Sequence, residues 1–229
     1  EDNVQPLADE VIAAFDEGGC DWELVFVDDC SSDSTWEKIA TARGKNQRVR
    51  GFRLEKNSGQ SAAVWTGIQG TDRPLIATLD GDRQNDPADL PILLKELDTC
   101  DFACGRRHKR KDTFLRKISS GIARWFRCRA LRSDFKDTGC AVRVFKRECV
   151  KALFGFNGLH RFMPIIVAGA GFKCREVPCN HRPRVAGESK YGVWNRLWRG
   201  IYDLIAISWY QKRRVNSVKF AEAEPAGDS

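Results

Sequence analysis

The chain has 229 residues, 42% hydrophobic and 30% charged, which is enough apolar mass for one globular domain with its own core and too much for a disordered chain. Nineteen Gly and eight Pro exclude a collagen-like or low-complexity polymer, and no run approaches the ~18 uninterrupted apolar residues of a membrane-spanning helix. The net charge of +7 points to an anionic partner, whether nucleic acid, a phosphorylated metabolite or a membrane surface. Nine cysteines run from Cys20 to Cys179 without paired CxxC motifs or zinc spacing, so a reducing, cytosolic setting is expected, with neither a disulfide framework nor structural zinc.

The chain starts at Glu1 and its one methionine is Met163, which sets the expectation that an upstream piece is missing. Residues 1–15 are acidic and read as an amphipathic helix on Val4, Leu7, Val11, Ile12 and Phe15, not as a signal peptide. After Gly18-Gly19, the run Trp22–Val27 predicts a buried strand that ends in Asp28-Asp29. Ser31–Ser34 supplies N-cap residues, with Glu37 three past Ser34 as a capping box, for a helix to about Ala42. Val49–Leu54 predicts a strand, Asn57-Ser58-Gly59 a turn, and Gln60–Ile68 a helix. Pro74–Leu79 is a further strand, again ending in acid at Asp80-Gly81-Asp82. Pro87–Leu97 reads as a helix with Pro at its start, and Asp101–Gly105 as one more strand before the basic stretch Arg106–Lys111.

This alternation predicts an α/β domain with a mostly parallel sheet covered on both faces. Ligands of such sheets bind beyond the carboxyl ends of the strands, where both acidic clusters fall. No internal repeat appears, and composition does not break before about residue 185. The tail after Phe220 is small and polar and is expected to fray.

Three constellations carry chemistry. Asp80-x-Asp82 with Gln84 puts three oxygen-bearing side chains on one tight turn, the ligand type a hard cation such as Mg or Mn takes. In the Asp28–Thr35 segment a carboxylate can accept an N–H of a base, or simply cap a helix. Arg106, Arg107, Arg143, Arg182, Arg184 and Lys190 form a cationic set of the kind that binds phosphate oxygens, although runs such as His108–Lys111 are more often a solvated face.

The ordered set Val27-Asp28-Asp29-x-Ser31, Asn57-x-Gly59, Asp80-Gly81-Asp82-x-Gln84-x-Asp86-Pro87, Asp137-Thr138-Gly139 and Arg184-x-x-Gly187-x-Ser189-Lys190-Tyr191 resembles the family 2 glycosyltransferases of the dolichyl-phosphate mannosyltransferase and bacterial undecaprenyl-phosphate glycosyltransferase type. The likeness spans residue 1 to about 214. It implies a GT-A nucleotide-binding sandwich over 1–190 whose first strand is missing, an amphipathic, membrane-interface helix over 191–216 and a flexible tail over 217–229. It implies that Asp28, Asp29, Ser31, Asn57, Gly59, Asp80 and Gly81 bind the nucleotide sugar, and that Asp80, Asp82 and Gln84 hold the Mg or Mn. Arg106 or Arg107, with Arg184, Ser189 and Lys190, would contact phosphate, and Asp82, Asp137 and Arg143 take the catalytic positions. Gly139–Arg143 departs from the family's GFR-like segment by lacking its aromatic residue. The family's Pro-x-Tyr-Asn-Glu-like turn is also cut at Glu1, so weak nucleotide binding is expected of the chain as it stands.

The chemistry implied is transfer of mannose or glucose from GDP-mannose or UDP-glucose to a polyprenyl phosphate, with inversion, at the cytoplasmic face of a membrane. A phosphate monoester with a second pKa near ~6 is already anionic at neutral pH, so no strong general base is required. His108, His160 and His181 accordingly read as structural or phosphate-contacting. On Val193–Arg214, Trp194, Leu197, Trp198, Ile201, Leu204, Ile205 and Trp209 recur at helical spacing among Arg196, Arg199 and Lys212-Arg213-Arg214. That pattern fits a helix lying on a membrane surface and equally a core or oligomer helix. Attachment to the membrane is expected to be peripheral or through an anchoring subunit. A polysaccharide acceptor, a nucleic-acid-binding module and a non-catalytic relative are the competing readings; the resemblance implies no nucleic-acid partner.

Overall fold

The computed structural model describes residues 1–16, 18–107, 128–129, 131, 133–182 and 193–215, excepting the side chains of 193–199. Helix α1 (Val4–Asp16) buries Val4, Leu7, Ala8 and Val11, a stripe that the 3.6-residue repeat turns to one side. Strands β1 (Leu24–Asp28) and β2 (Val49–Arg53) pair in parallel around the connecting helix α2 (Thr35–Lys45). Helix α3 (Gln60–Gln69) leads to β3 (Leu75–Thr78), α4 (Leu90–Glu96) and β4 (Phe102–Arg107). Strand β5 (Arg143–Lys146), helix α5 (Leu159–Gly169), strand β6 (Cys174–Cys179) and helix α6 (Val193–Arg213) follow.

The α/β class read from the alternation is present, and the larger sheet is mixed, in the order β3-β5-β4-β6. Strand β5 is antiparallel to both neighbours, while β4 and β6 are parallel. The short stretch Val142–Phe145 carries no mark of strand direction, so the inversion was not legible in sequence. It has a consequence for the site. Arg143 stands opposite Thr78 on β3 and Cys104 on β4, between the strand that leads to Asp80 and the strand that carries Arg106.

On one face of this sheet, fully buried Phe102 and Phe145 stack at 5.0 Å and pack with Leu159, Met163 and Ile166 of α5. On the other, Ala103, Val142, Val144 and Val177 pack against Leu90 and Leu93 of α4. Each large apolar side chain so buried contributes about 1.5–3 kcal/mol, which gives the strand ends that carry the acidic turns a rigid support.

Two local expectations are corrected. The helix expected over Pro87–Leu97 begins as a 3-10 turn, Pro87–Asp89, with α4 starting only at Leu90. Pro91 lacks the N–H that an α-helical bond back to Pro87 would need. Ser34 is the N-cap of α2, but its side chain makes no cap bond. Instead Asp33 accepts from the amide and the hydroxyl of Thr35, at 3.1 and 2.6 Å, a local turn that replaces the capping box.

Candidate active site

The two motifs read separately as Asp28-Asp29 and Asn57-x-Gly59 form one cluster. Asp29 leaves the end of β1, and its carboxylate accepts the amides of Ser58 (2.7 Å) and Gly59 (2.8 Å), while Asn57 Nδ2 donates to the Asp29 carbonyl at 3.1 Å. The carboxylate thereby satisfies amides at the start of α3. Gly59 has φ +88°, a conformation that L side chains rarely adopt, and it lets the chain turn from this clamp into the helix. Asp28 is buried; its Oδ1 accepts the Ser31 amide at 3.0 Å, and its Oδ2 lies 3.3 Å from Arg53 Nε.

The next residue along α3 reaches the second acidic cluster. Gln60 Nε2 donates to Asp80 Oδ1 at 2.6 Å, so the first turn of the helix bridges both acid-tipped strands. The Asp80–Gln84 turn closes through Arg83 in the left-handed region (φ 58°), whose guanidinium is held by Glu10 of α1 at 2.5 Å, and through the Gln84 amide, which donates to Asp82 Oδ1 at 3.1 Å. Removal from water, and then the negative charge of Asp82, raise the Asp80 pKa; Arg143, Gln60 and Arg107 oppose the rise. Two neighbouring carboxylates on one turn are an oxygen-donor set of the kind a hard divalent cation takes. Among the described residues no three His, Cys, Asp or Glu side chains form a metal cluster. Gln84 supplies backbone bonds to the turn, while its side chain makes no hydrogen bond among the described residues.

The basic residues separate into distinct roles. Arg107, expected on phosphate, is held bidentately by Asp137, with Nε and Nη2 each at 2.7 Å and the Arg107 amide adding a bond at 3.2 Å. This pair, Asp137 first, raises the pKa of Arg107. Glu176 of β6 accepts the amides of Lys136 and Asp137, at 2.9 and 2.8 Å, and fixes the segment in place. Arg143, expected as a catalytic group, is 2% exposed. Its guanidinium donates to the carbonyls of Thr138 (3.2 Å) and His160 (2.5 Å), so these backbone groups occupy it from within the sheet. Burial lowers its pKa, and the neighbouring Asp80 is among the groups that oppose this. Arg106, one position on from Gly105, points to the opposite sheet face from Arg107; it is half-buried and makes no ion pair among the described residues.

The late loop is anchored at this edge. The Arg182 amide donates to the Gln84 carbonyl at 2.8 Å, His181 bridges to Asn85, and Asn180 is held by Asp89 at 2.7 and 3.0 Å. The Arg182 side chain pairs with Glu10 (2.8 Å) and Asp86 (2.7 Å). Arg184, Ser189 and Lys190 lie outside the described residues, as do His108–Lys111, the tail after Phe220 and the side chains of Trp194, Leu197 and Trp198. The stem from which Arg184 departs is bonded directly to the Asp80–Gln84 turn.

Both readings of the last helix meet in α6. Its inner side carries Ile207 (2% exposed), Tyr210 against Phe154 at 4.7 Å, and Asp203 bonded to Arg161 at 2.7 Å. Its outer side carries Tyr202, Ile205 and Trp209, exposed by 76, 64 and 64%. Among the described residues no helix is long and apolar enough to cross a membrane. Sequence reasoning missed Glu10, Gln60, Ser61 and Glu176. Gln60 had one signal, its place directly after the Asn57-x-Gly59 turn; the others sit on polar helix or strand positions without distinguishing marks.

Comparison with known proteins accords with this geometry. The sequence model described as glycosyl transferase family 2 matches residues 1–150. The dodecaprenyl-phosphate galacturonate synthase of Rhizobium johnstonii is 36% identical over 226 residues, covering 96% of this chain and 67% of its own length. The undecaprenyl-phosphate 4-deoxy-4-formamido-L-arabinose transferase of Edwardsiella ictaluri is 32% identical over 207 residues, covering 90% of this chain and 63% of its own. The chain thus spans about two thirds of the length of these relatives. Glucosyl-3-phosphoglycerate synthase from Mycobacterium tuberculosis, solved with phosphoglyceric acid, superposes with a TM-score of 0.65 at 16% identity, over 92% of this chain and 75% of that one; this likeness bears on the fold alone.

Proposed function

The chain belongs to glycosyl transferase family 2 and has a GT-A-like fold, and from that premise we propose that it moves a sugar from a nucleoside diphosphate sugar to the phosphate of a polyprenyl phosphate. The observation that carries the proposal is the α3 turn, where Gly59 is held by Asp29 and Gln60 holds Asp80, so that a nucleoside and its diphosphate can be gripped by one rigid unit. Asp28, Asp29, Ser31, Asn57 and Gly59 face the nucleoside, and Asp80 with Gly81 faces the diphosphate. Asp80 and Asp82, with the Gln84 side chain within the same turn, would hold Mg or Mn. A bound divalent ion supplies positive charge to the departing diphosphate. Arg106 adds a cation from the sheet, Arg184 and Lys190 add theirs, and Ser189 offers a hydroxyl to phosphate oxygens. A neighbour in fold, glucosyl-3-phosphoglycerate synthase, was solved with Mn2+ and UDP-glucose, the cofactor and donor class proposed here.

The acceptor phosphate is already an anion at neutral pH, so the site's task is alignment and charge stabilisation. Asp137, locked to Arg107, stands at the acceptor side as an oriented carboxylate. Arg143 holds the backbone on which Thr138 and His160 sit. Mannose or glucose is the sugar expected from the resemblance. The names of the relatives add galacturonate and 4-deoxy-4-formamido-L-arabinose, so the sugar stays with the assay. The lipid acceptor places the enzyme peripherally on the cytoplasmic face of a membrane, with Tyr202, Ile205 and Trp209 and the following Lys212, Arg213 and Arg214 toward the lipid; an anchoring subunit is the alternative attachment.

The test is incubation with labelled GDP-mannose, UDP-glucose or UDP-galacturonate plus undecaprenyl phosphate, counting label in the organic phase. One donor should give lipid-linked label that a chelator and Asp82→Asn both abolish. Label that survives either treatment, or none from any of these donors or from UDP-4-deoxy-4-formamido-L-arabinose, would contradict the proposal.

A further inference from the structure

Ser61, the second residue of α3, is 5% exposed and makes two bonds to the start of α5. The Gly158 amide donates to Ser61 Oγ at 2.9 Å, and Ser61 Oγ lies 2.7 Å from His160 Nδ1. The amide uses one lone pair of that oxygen and the hydroxyl keeps its own proton; given to Nδ1, that proton leaves the imidazole with its own on Nε2. The opposite side of the residue is held too, since Arg143 donates to the His160 carbonyl at 2.5 Å. His160 is half-buried, and its Nε2 has no partner among the described residues. It is thus a pre-oriented donor with an open position. Gln60, the neighbour of Ser61 in α3, bonds Asp80 at 2.6 Å, and the charges of Arg143 and Asp80 influence each other.

From this we propose that His160 is a substrate-contacting residue, whose neutral imidazole donates its Nε2 proton to a phosphate oxygen of the acceptor, with Ser61 as the residue that positions it. The inference rests on the reading of the site as a sugar-phosphate transferase and names a contact which that reading does not contain. A phosphate fits better than a sugar hydroxyl for two reasons. Burial first, and then Arg161 on α5 and Arg143 on β5, lower the ring's pKa to about 4 and keep it neutral; the two guanidinium charges beside it favour an anion at the open edge. The imidazole also stands in the first turn of α5, where the helix dipole favours negative charge. The other groups around it are Ser61 on α3 and Asp203 on α6, which already pairs with Arg161 at 2.7 Å.

The experiment uses the full chain labelled with 15N and follows the histidine ring nitrogens by long-range proton–nitrogen spectra, with His160→Gln to assign the signal. His160 should hold the Nε2–H form from pH 5.5 to 8, and Ser61→Ala should yield a mixture of tautomers. Farnesyl phosphate should then shift the Nε2 signal while UDP-glucose with Mg leaves it in place. A shift with UDP-glucose alone would reassign the contact to the donor, and a shift with neither, or a ring protonated on Nδ1, would overturn the proposal. These spectra need no turnover, so failure of the transfer assay and failure of the His160 contact are read separately. Where transfer is observed, His160→Ala should lower kcat/KM for the polyprenyl phosphate about 10- to 100-fold, and His160→Gln, which keeps an N–H near Nε2, should recover most of the loss. Equal losses in both variants would mark a structural role and contradict the proposal.

Discussion

Replacing Asp137 by Ala removes the partner of a guanidinium that cannot escape to water. The side chains of Arg107 and Asp137 are 16 and 14% exposed, and two bonds of 2.7 Å join them. Breaking a buried pair costs about 3–5 kcal/mol because the remaining charge stays desolvated. The residual exposure here argues for the lower end, about 3 kcal/mol. For a chain of this size, at ~2–4 °C per kcal/mol, Asp137→Ala should melt roughly 6–12 °C below the wild type. The double variant Arg107→Met/Asp137→Leu removes both charges and should regain most of that loss, since an apolar pair of similar volume is often neutral or better. Thermal denaturation with a urea titration checks both values. A single variant as stable as wild type, or a double variant no better than the single one, would refute the view that Arg107 is engaged by Asp137 and unavailable to phosphate.

Other predictions follow from the same contacts. Gln60→Ala removes the bond to Asp80 and should raise the Mg or Mn concentration for half-maximal transfer about 3- to 10-fold, in line with ~0.5–1.5 kcal/mol per hydrogen bond; an unchanged metal titration would contradict the bridge. The Asp80 pKa is raised by burial and by Asp82, so folding favours its protonated form, and that contribution is present below the unfolded pKa and lost as pH rises through the folded one. Without metal, Asp80→Asn should therefore be more stable than wild type at pH 7 and lose this advantage near pH 3, while transfer is abolished; a less stable Asn variant at pH 7 would contradict the sign. At Gly105 an added Cβ would meet the sulfurs of Cys179 and Cys140 at 2.8 and 2.9 Å, so Gly105→Ala should cost about 1–3 kcal/mol, in part relieved by Cys179→Ala.

Much of the architecture was legible because its signals are local. The apolar runs ending at Asp28 and Asp80 announced their strands, and the stripe on α1 its buried face. Which acids would share a pocket followed from one general rule about strand ends. The inverted strand β5 was not legible, since strand direction depends on pairing between distant segments, and with it went the role of Arg143. A motif match put that residue among the catalytic groups; pairing with Thr78 and Cys104 places it inside the sheet. The partners of charges were hidden for the same reason. Nothing near Arg107 in the chain indicates Asp137, and nothing near Ser61 indicates His160, although both pairs form.

The central claim is that the acids of two strands, joined through the first turn of α3, bind one nucleotide together with a divalent ion. Calorimetric titration of UDP and GDP into the protein, with Mn2+ or with a chelator, tests it most directly. Binding of one of the two should require Mn2+ and be lost in both Asp29→Ala and Asp80→Ala. Nucleotide affinity that withstands the chelator, or that survives Asp29→Ala, would contradict it.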